Sequence, residues 1–237
     1  MSILLVTGAN RGLGLELVRQ YAADGWRIHA GCRDPKAAVE LADIAGRSEG
    51  RVSSHALDVS DFASIEALAA KLKGEPLDVV INNAGVYAPA VAQRDSGGQT
   101  LGDMDYEFWQ LALRVNTLAP FKMAQTFRGH LAKSEQRKLV TISSAMGSIG
   151  LTEEGYHAYR SSKAAVNMVM AVLAKELAAD GISVGLFSPG WVRTRMGGPT
   201  AHLSVEESVA GLRAQIDALT LERSGHFLRH DGSELPW

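Results

Sequence analysis

Residues 1–14, MSILLVTGANRGLG, decide how the rest of the 237-residue chain is read. Ile3-Leu4-Leu5-Val6 is a short apolar, partly β-branched run ending in a glycine-rich turn, and residues 13–23 continue with the apolar spacing of a helix. The pattern is strand, tight turn, helix. Gly8, Gly12 and Gly14 let the backbone approach a ligand, and the helix they open aims unpaired N–H groups and the positive end of its dipole at that ligand. A dinucleotide pyrophosphate is the natural occupant. Taken alone, the turn reads equally well as backbone that needs positive φ, so the remainder of the chain has to decide.

Working outward, residues 26–31 (WRIHAG) read as a second strand, and Asp34-Pro35 as a helix start with Asp at the N-cap and Pro at the first helical position, the helix running to about Ser48. Residues 51–57 form a third strand, 61–73 a helix capped by Ser60, and 77–81 a fourth strand. Regular alternation of this kind predicts a parallel sheet with right-handed crossovers. Residues 82–102 lose periodicity and form a long loop, 104–134 are helical but kinked or split at Pro120, and 138–143 are the fifth strand. A long helix over 156–179, a strand over 182–187, a loop over 188–203, a helix over 205–218 and a strand near 226–228 complete the chain. The expectation is one α/β domain over residues 1–237, a Rossmann-like doubly wound parallel sheet of about seven strands with helices on both faces.

Composition narrows the partners. With 24 Lys and Arg against 26 Asp and Glu, the net charge of −2 offers no broad basic field for nucleic acid. The one cysteine, Cys32, excludes an internal disulfide and a cysteine-based metal cluster, and the seven histidines lack metal-ligand spacing, so no metal is expected. No run reaches membrane-spanning length and the first strand starts too early to leave room for a leader, so a cytoplasmic protein acting on small molecules is expected.

In open α/β sheets ligands bind beyond the carboxyl ends of the strands. After the second strand an acid would favour NAD by binding the ribose 2′-OH, whereas here Cys32 stands in that place with Arg33 beside it. Arg11 offers a second guanidinium, so the pair favours NADP, against the plainer reading of two solvated surface charges. A second cluster is Tyr159-Arg160-Ser161-Ser162-Lys163, in which Tyr159 and Lys163 share one helical face. A phenol with an ordinary pKa of about 10 needs a shift of roughly three units, about 4 kcal/mol, to titrate near neutrality, and a nearby ammonium would help. Such a pair is by itself most often plain helix surface; Ser143-Ser144 at the end of the fifth strand adds a hydroxyl able to donate to a substrate oxygen.

With those residues in place, the chain resembles the short-chain dehydrogenase/reductase family over essentially its full length. The matching pieces are TGANRGLG (residues 7–14), LDV (57–59), NNAG (82–85), Asn116, ISS (142–144), YRSSK (159–163) and PGWVRT (189–194). The segment PGWVRTRMGGP and the ending GHFLRHDGSELPW resemble, more narrowly, small carbonyl-reductase-like members of the C-factor and Sniffer type.

The resemblance implies NADP(H)-dependent reduction of a ketone or aldehyde, or the reverse oxidation. It implies Tyr159 as general acid or base, Lys163 as the residue that holds the nicotinamide ribose and lowers the Tyr159 pKa, Ser144 as a donor to the substrate oxygen, and Asn116 as the holder of a relay water. It further implies that Gly8, Asn10, Arg11, Gly12, Leu13 and Gly14 line the pyrophosphate side of the cofactor, Arg33, Asp58 and Val59 the adenosine side, and Asn83, Ala84 and Gly85 its length. Pro189, Gly190, Val192 and Thr194 would meet the nicotinamide end. The stretch between Ser144 and Tyr159 is longer than in common members, which leaves Ser148 as an alternative to Ser144. Tyr87, Met146, Tyr156, Trp191 and Met196 fall in loops expected to wall the pocket, although ordinary loop packing explains them equally well. Relatives pair their two long helices into homodimers or homotetramers, and Ala165, Val169, Val172 and Leu173 are compatible with such a face or with packing on the sheet. A rival reading is a nucleotide-binding regulatory or signalling protein of the same fold with little turnover.

Overall fold

A computed structural model describes residues 1–88 and 99–237. Its centre is strand β1 (Ile3–Thr7), buried at every position and hydrogen-bonded in parallel to β2 (Arg27–Cys32) on one side and β4 (Val79–Asn82) on the other. β3 (Val52–Ala56) extends the sheet beyond β2, while β7 (Lys138–Ile142), β8 (Ser183–Ser188) and β9 (Phe227–Arg229) extend it beyond β4. The order β3-β2-β1-β4-β7-β8-β9 is parallel throughout. The chain therefore reverses its direction of sheet growth between β1 and β4, and a crevice opens there at the carboxyl ends of both strands.

Alternation along β1 fixes the layers. Ile3 and Leu5 join a core with Ile65 and Leu68 of α3 (Phe62–Lys71), Phe127 of α5 (Ala119–Ala132) and Val166 and Met170 of α6 (His157–Glu176). Leu4 and Val6 join the opposite core with Leu17, Val18 and Tyr21 of α1 (Gly12–Ala23), Leu41 of α2 (Val39–Arg47) and Leu212 of α7 (Val205–Asp217). Burial on both faces is what a parallel sheet requires.

Local differences from the sequence reading have local causes. Asp34 does not cap α2; its carboxylate accepts from Lys36 N (3.0 Å) and Ala37 N (3.2 Å), closing a turn, and the helix begins only after Ala38. Asp61 rather than Ser60 caps α3, because the Ser60 hydroxyl is held by Asp58 at 2.7 Å. The region around Pro120 is not split. α4 (Tyr106–Leu113) runs into α5 through a π turn at Arg114–Leu118, and Pro120 falls in the first turn of α5, where bonding is already shifted by one residue. At the end of the expected loop, β5 (Gln99–Thr100) pairs antiparallel with β6 (Asp103–Met104), so the helix expected from residue 104 starts at Tyr106; residues 89–98 of that loop lie outside the described residues.

On α6, Leu173 is buried and Val169 packs on the sheet-side core, so the two do not form an outer face; the apolar side chains left outward are Met168 and Val172. No described helix is long and apolar enough to cross a membrane.

Candidate active site

The glycine turn is held by side chains from across the crevice. Gly8 (φ 68°) and Gly12 (φ 53°) take left-handed backbone that only glycine adopts cheaply. Asn83, just past β4, donates its amide to Thr7 O (2.9 Å) and Gly8 O (3.2 Å), while the Thr7 hydroxyl receives Asn83 N and Ala84 N, each at 3.0 Å. Gly14 is needed for a reason other than ligand approach: a Cβ there would stand 2.3 Å from the Gly8 carbonyl oxygen. It is buried, and its missing Cβ lets the helix pack closely on the turn.

The start of α1 fits an anion. Arg11 at the N-cap makes no side-chain cap bond and no acid occupies the first turn, so the helix end presents uncapped N–H groups and an unopposed positive dipole beside the partly buried Asn10 and Leu13. Thr194, in the loop after β8, brings its methyl to 3.5 Å from where a Gly12 Cβ would stand, so this loop covers the same turn. At the neighbouring edge Cys32 is buried and Arg33 exposed, while Asp34 is committed to its own turn. Asp58 accepts from Ser60 N and Oγ, and Val59 is buried beside it.

The second half of the site gathers at the carboxyl end of β7. Tyr159 and Lys163 lie one turn apart on the same face of α6, both buried, with Lys163 Nζ 5.8 Å from the phenol ring centre and donating to Ile142 O at 2.9 Å. The Ser144 hydroxyl, directly after β7, hydrogen-bonds the Tyr159 side chain. Ser148, the alternative, is turned into its own loop, accepting from Leu151 N and lying 3.4 Å from Trp237 O. Burial pushes the Tyr159 phenol up to about 12, with the Ser144 bond acting in the opposite direction, and burial lowers Lys163 to about 8. In the protein alone the causes acting on the phenol are burial and the Ser144 bond, and the Lys163 ammonium is directed at the Ile142 carbonyl.

Asn116 sits in the π turn, and its amide is spent on protein partners: Oδ1 accepts from Val86 N (2.9 Å), and Nδ2 donates to Val86 O (2.8 Å) and Ser162 Oγ (3.0 Å). Gly85 keeps this approach clear, since a Cβ there would come within 3.2 Å of Asn116 Oδ1 and 4.0 Å of Lys163 Nζ. Tyr87 packs edge-on against Tyr159 (4.8 Å) and stacks on Tyr156 (5.3 Å), so one of the expected wall residues meets the phenol and a second backs it. Trp191 bonds Gly197 O and packs against His202, and Met196 is half exposed in the same loop with Pro189, Gly190 and the buried Val192. Met146 instead lines a cavity of about 220 Å³ with Ile149, His157, Arg160 and Ala164, on the face of α6 turned away from Tyr159.

One residue at this site had no warning in the sequence. Gln99, from the β5–β6 hairpin, is fully buried and bonds both the backbone N of Tyr159 and the carbonyl of Tyr87. A lone glutamine in an aperiodic loop carries no motif. Among the described residues no three His, Cys, Asp or Glu side chains converge as a metal site.

A family model described as short chain dehydrogenase matches residues 2–202. The C-signal protein of Myxococcus xanthus is 37% identical over 174 residues, which span 73% of this chain and all of that protein. Among solved structures, the carbonyl reductase Sniffer of D. melanogaster superposes with a TM-score of 0.89 at 31% identity, over 100% of both chains. An NADPH-bound carbonyl reductase from chicken fatty liver gives a TM-score of 0.89 at 34% identity, over 100% of this chain and 98% of the other.

Proposed function

The chain belongs to the short-chain dehydrogenase family, an oxidoreductase family, and on that premise we propose that residues 1–237 act as one NADP(H)-binding unit that reduces a ketone or aldehyde to an alcohol, or runs the reverse oxidation. The observation that carries the reading is a buried phenol, Tyr159, bonded to the Ser144 hydroxyl with Lys163 one turn away, beside a glycine turn suited to a pyrophosphate.

Bound NADPH supplies the hydride. The protein's part is to orient and to move a proton. A phenol held near 12 stays protonated at neutral pH and so carries the proton that the carbonyl oxygen takes up. Ser144 Oγ donates to that same oxygen and fixes its distance from the phenol. Lys163 Nζ, already anchored on Ile142 O, holds the ribose hydroxyls with its remaining protons. Asn116 fastens Val86, and with it the Gly85 backbone, against α6; the clear approach between Asn116 Oδ1 and Lys163 Nζ suits resupply of the proton through a relay water. Arg11 and Arg33 bind the 2′-phosphate, and Asp58 and Val59 border the adenine. Asn83 and Ala84 shape the turn along the cofactor, while Pro189, Gly190, Val192 and Thr194 close over its nicotinamide end. Tyr87 and Tyr156 favour a substrate with an apolar body.

The assembly proposed is a homodimer through α4–α5 and α6, where Leu111, Leu118, Phe121, Met168 and Val172 are exposed on the joined helices. The location proposed is the cytoplasm.

The test is a fluorescence titration with NADPH and with NADH, followed by consumption assays on aromatic ketones, diketones and aldehydes. Tight NADPH binding and turnover that is lost in Tyr159→Phe is the expected result. The name of the C-signal relative is the one finding that favours a signalling reading, and NADPH binding with no turnover on any carbonyl would move the assignment there.

A further inference from the structure

α6 starts without a cap of its own. Tyr156, the residue before it, adopts left-handed backbone (φ 54°, ψ 35°), and its side chain makes no bond to the first turn. The opening N–H groups of any helix lack partners within the helix, and a side-chain acceptor at the N-cap normally satisfies one at the second or third position. In α6 the third position is Tyr159. Its N–H is accepted by Gln99 Oε1 at 2.9 Å, from a hairpin 60 residues earlier in the chain.

We propose that Gln99 is the positioning residue for Tyr159: it caps α6 from outside the helix and ties the backbone of the proton donor to the wall of the pocket. The inference rests on the reading of Tyr159 as the reaction's acid. The other end of the same amide donates to Tyr87 O at 2.8 Å, and the Tyr87 ring in turn packs edge-on against the Tyr159 ring at 4.8 Å. One side chain thus fixes the acid at its backbone and, through Tyr87, at its ring. Gln99 is fully excluded from solvent, so neither of its bonds can be replaced by water when it is lost, and the two groups it serves would both be orphaned. Its own backbone is held by pairing with Met104, immediately ahead of the Asp105 cap of α4, and α4 is fastened to α6 by Trp109 Nε1 donating to Ser161 Oγ at 2.8 Å. The acceptor therefore belongs to a frame that moves with α6. A reacting group displaced by about 1 Å loses on the order of 100-fold in rate, so the position of a helix start translates directly into turnover.

Two variants test this. Gln99→Leu keeps the volume and removes both bonds; NADPH affinity should stay within about twofold of the unmodified protein while kcat for an aromatic ketone falls by about tenfold or more. Gln99→Glu separates positioning from packing. A protonated carboxyl can accept from Tyr159 N and donate to Tyr87 O as the amide does, whereas the ionised form has no proton for Tyr87 O. Its kcat should therefore approach the unmodified value in acid and fall as the carboxyl ionises, adding a descending limb to the pH profile that the unmodified protein lacks. A kcat for Gln99→Leu within twofold of the unmodified protein, or a parallel loss of kcat and NADPH affinity, overturns the proposal. Amide exchange gives a readout that needs no turnover. Exchange at Tyr159 N should quicken by about tenfold or more in Gln99→Leu with the β7 amides unchanged, and an unchanged Tyr159 rate overturns the cap even if no carbonyl substrate is found.

Discussion

Replacing His55 with Leu should make the protein's stability flatter between pH 7 and pH 5 by about 2 kcal/mol. Where β2 and β3 meet α3, Lys71 Nζ lies 3.3 Å from His55 Nδ1, and His55 Nε2 lies 3.0 Å from His29 Nδ1. His29 Nε2 is 3.1 Å from one Glu75 oxygen, at an angle that falls short of a good hydrogen bond, and Arg27 is 2.8 Å from the other. Lys71 has only protons to offer, so His55 Nδ1 must be bare; the His55 proton is then on Nε2 and is donated to His29 Nδ1, which leaves the His29 proton on Nε2, facing Glu75. With both rings neutral, no two protons face each other along this chain. One more proton on His29 sets N–H against N–H, and one more on His55 points N–H at an ammonium. In agreement with this, burial first and the neighbouring charges second hold His55 down at about 4, and burial lowers His29 against the pull of Glu75.

The sign follows from proton counting. An unfolded His55 takes its proton near 6.5 and the folded one only near 4, so stability is complete above about pH 6.5 and is lost as pH falls from there toward 4. Between pH 7 and pH 5 this single residue accounts for about 2 kcal/mol. Urea unfolding of both proteins at pH 7, 6 and 5, at one protein concentration, measures it; carboxylates common to the two cancel in the difference. The Leu variant should be less stable at pH 7, because Lys71 and His29 lose a partner, and flatter with pH by about 2 kcal/mol. Equal pH slopes in the two proteins would refute the reasoning.

Gly14→Ala should cost about 1–3 kcal/mol in urea unfolding, because its methyl would stand 2.3 Å from the Gly8 carbonyl, and NADPH titration should weaken with it as the turn is displaced. Arg33→Ala should reduce the ratio of kcat/KM for NADPH over NADH by about tenfold or more, the loss of one charge-assisted contact, since Asp34 is spent on its own turn and offers nothing to a ribose hydroxyl. Light scattering should give about twice the 25.3 kDa of a single chain, and Met168→Asp, which sets a charge in the outward apolar face of α6, should return it to the single-chain value.

What could be read from the sequence was set by short-range rules. β1 and the glycine turn, the alternation up to β4 and the pairing of Tyr159 with Lys163 on one face depend on spacing within about ten residues, where periodicity and sterics leave few choices. Asp34 shows where such rules divide. The residue is a good cap by type, but an Asx turn two and three residues on satisfies it first, and nothing local distinguishes the two outcomes. The π turn at Arg114–Leu118 was equally out of reach. Pro120 signalled a disturbance but not its form, and the form determines that Asn116 turns inward to Val86 and Ser162.

The chemistry of the site depends on contacts that no spacing encodes. The place of Tyr159 beside Lys163 was legible, yet the direction in which its pKa moves was not, because burial of a phenol is a property of the packed sheet and helix. The same holds for the start of α6. Its N-cap position holds Tyr156, a poor capping residue in a strained conformation, and read locally that predicts a frayed beginning at the turn that carries Tyr159. The deficit is made good by Gln99, 60 residues away, whose amide bonds both the helix start and the Tyr87 carbonyl. A local rule broken at the start of α6, and satisfied only through the tertiary fold, makes the geometry of Tyr159 conditional on the β5–β6 hairpin, so substitutions in that hairpin should alter kcat as well as stability.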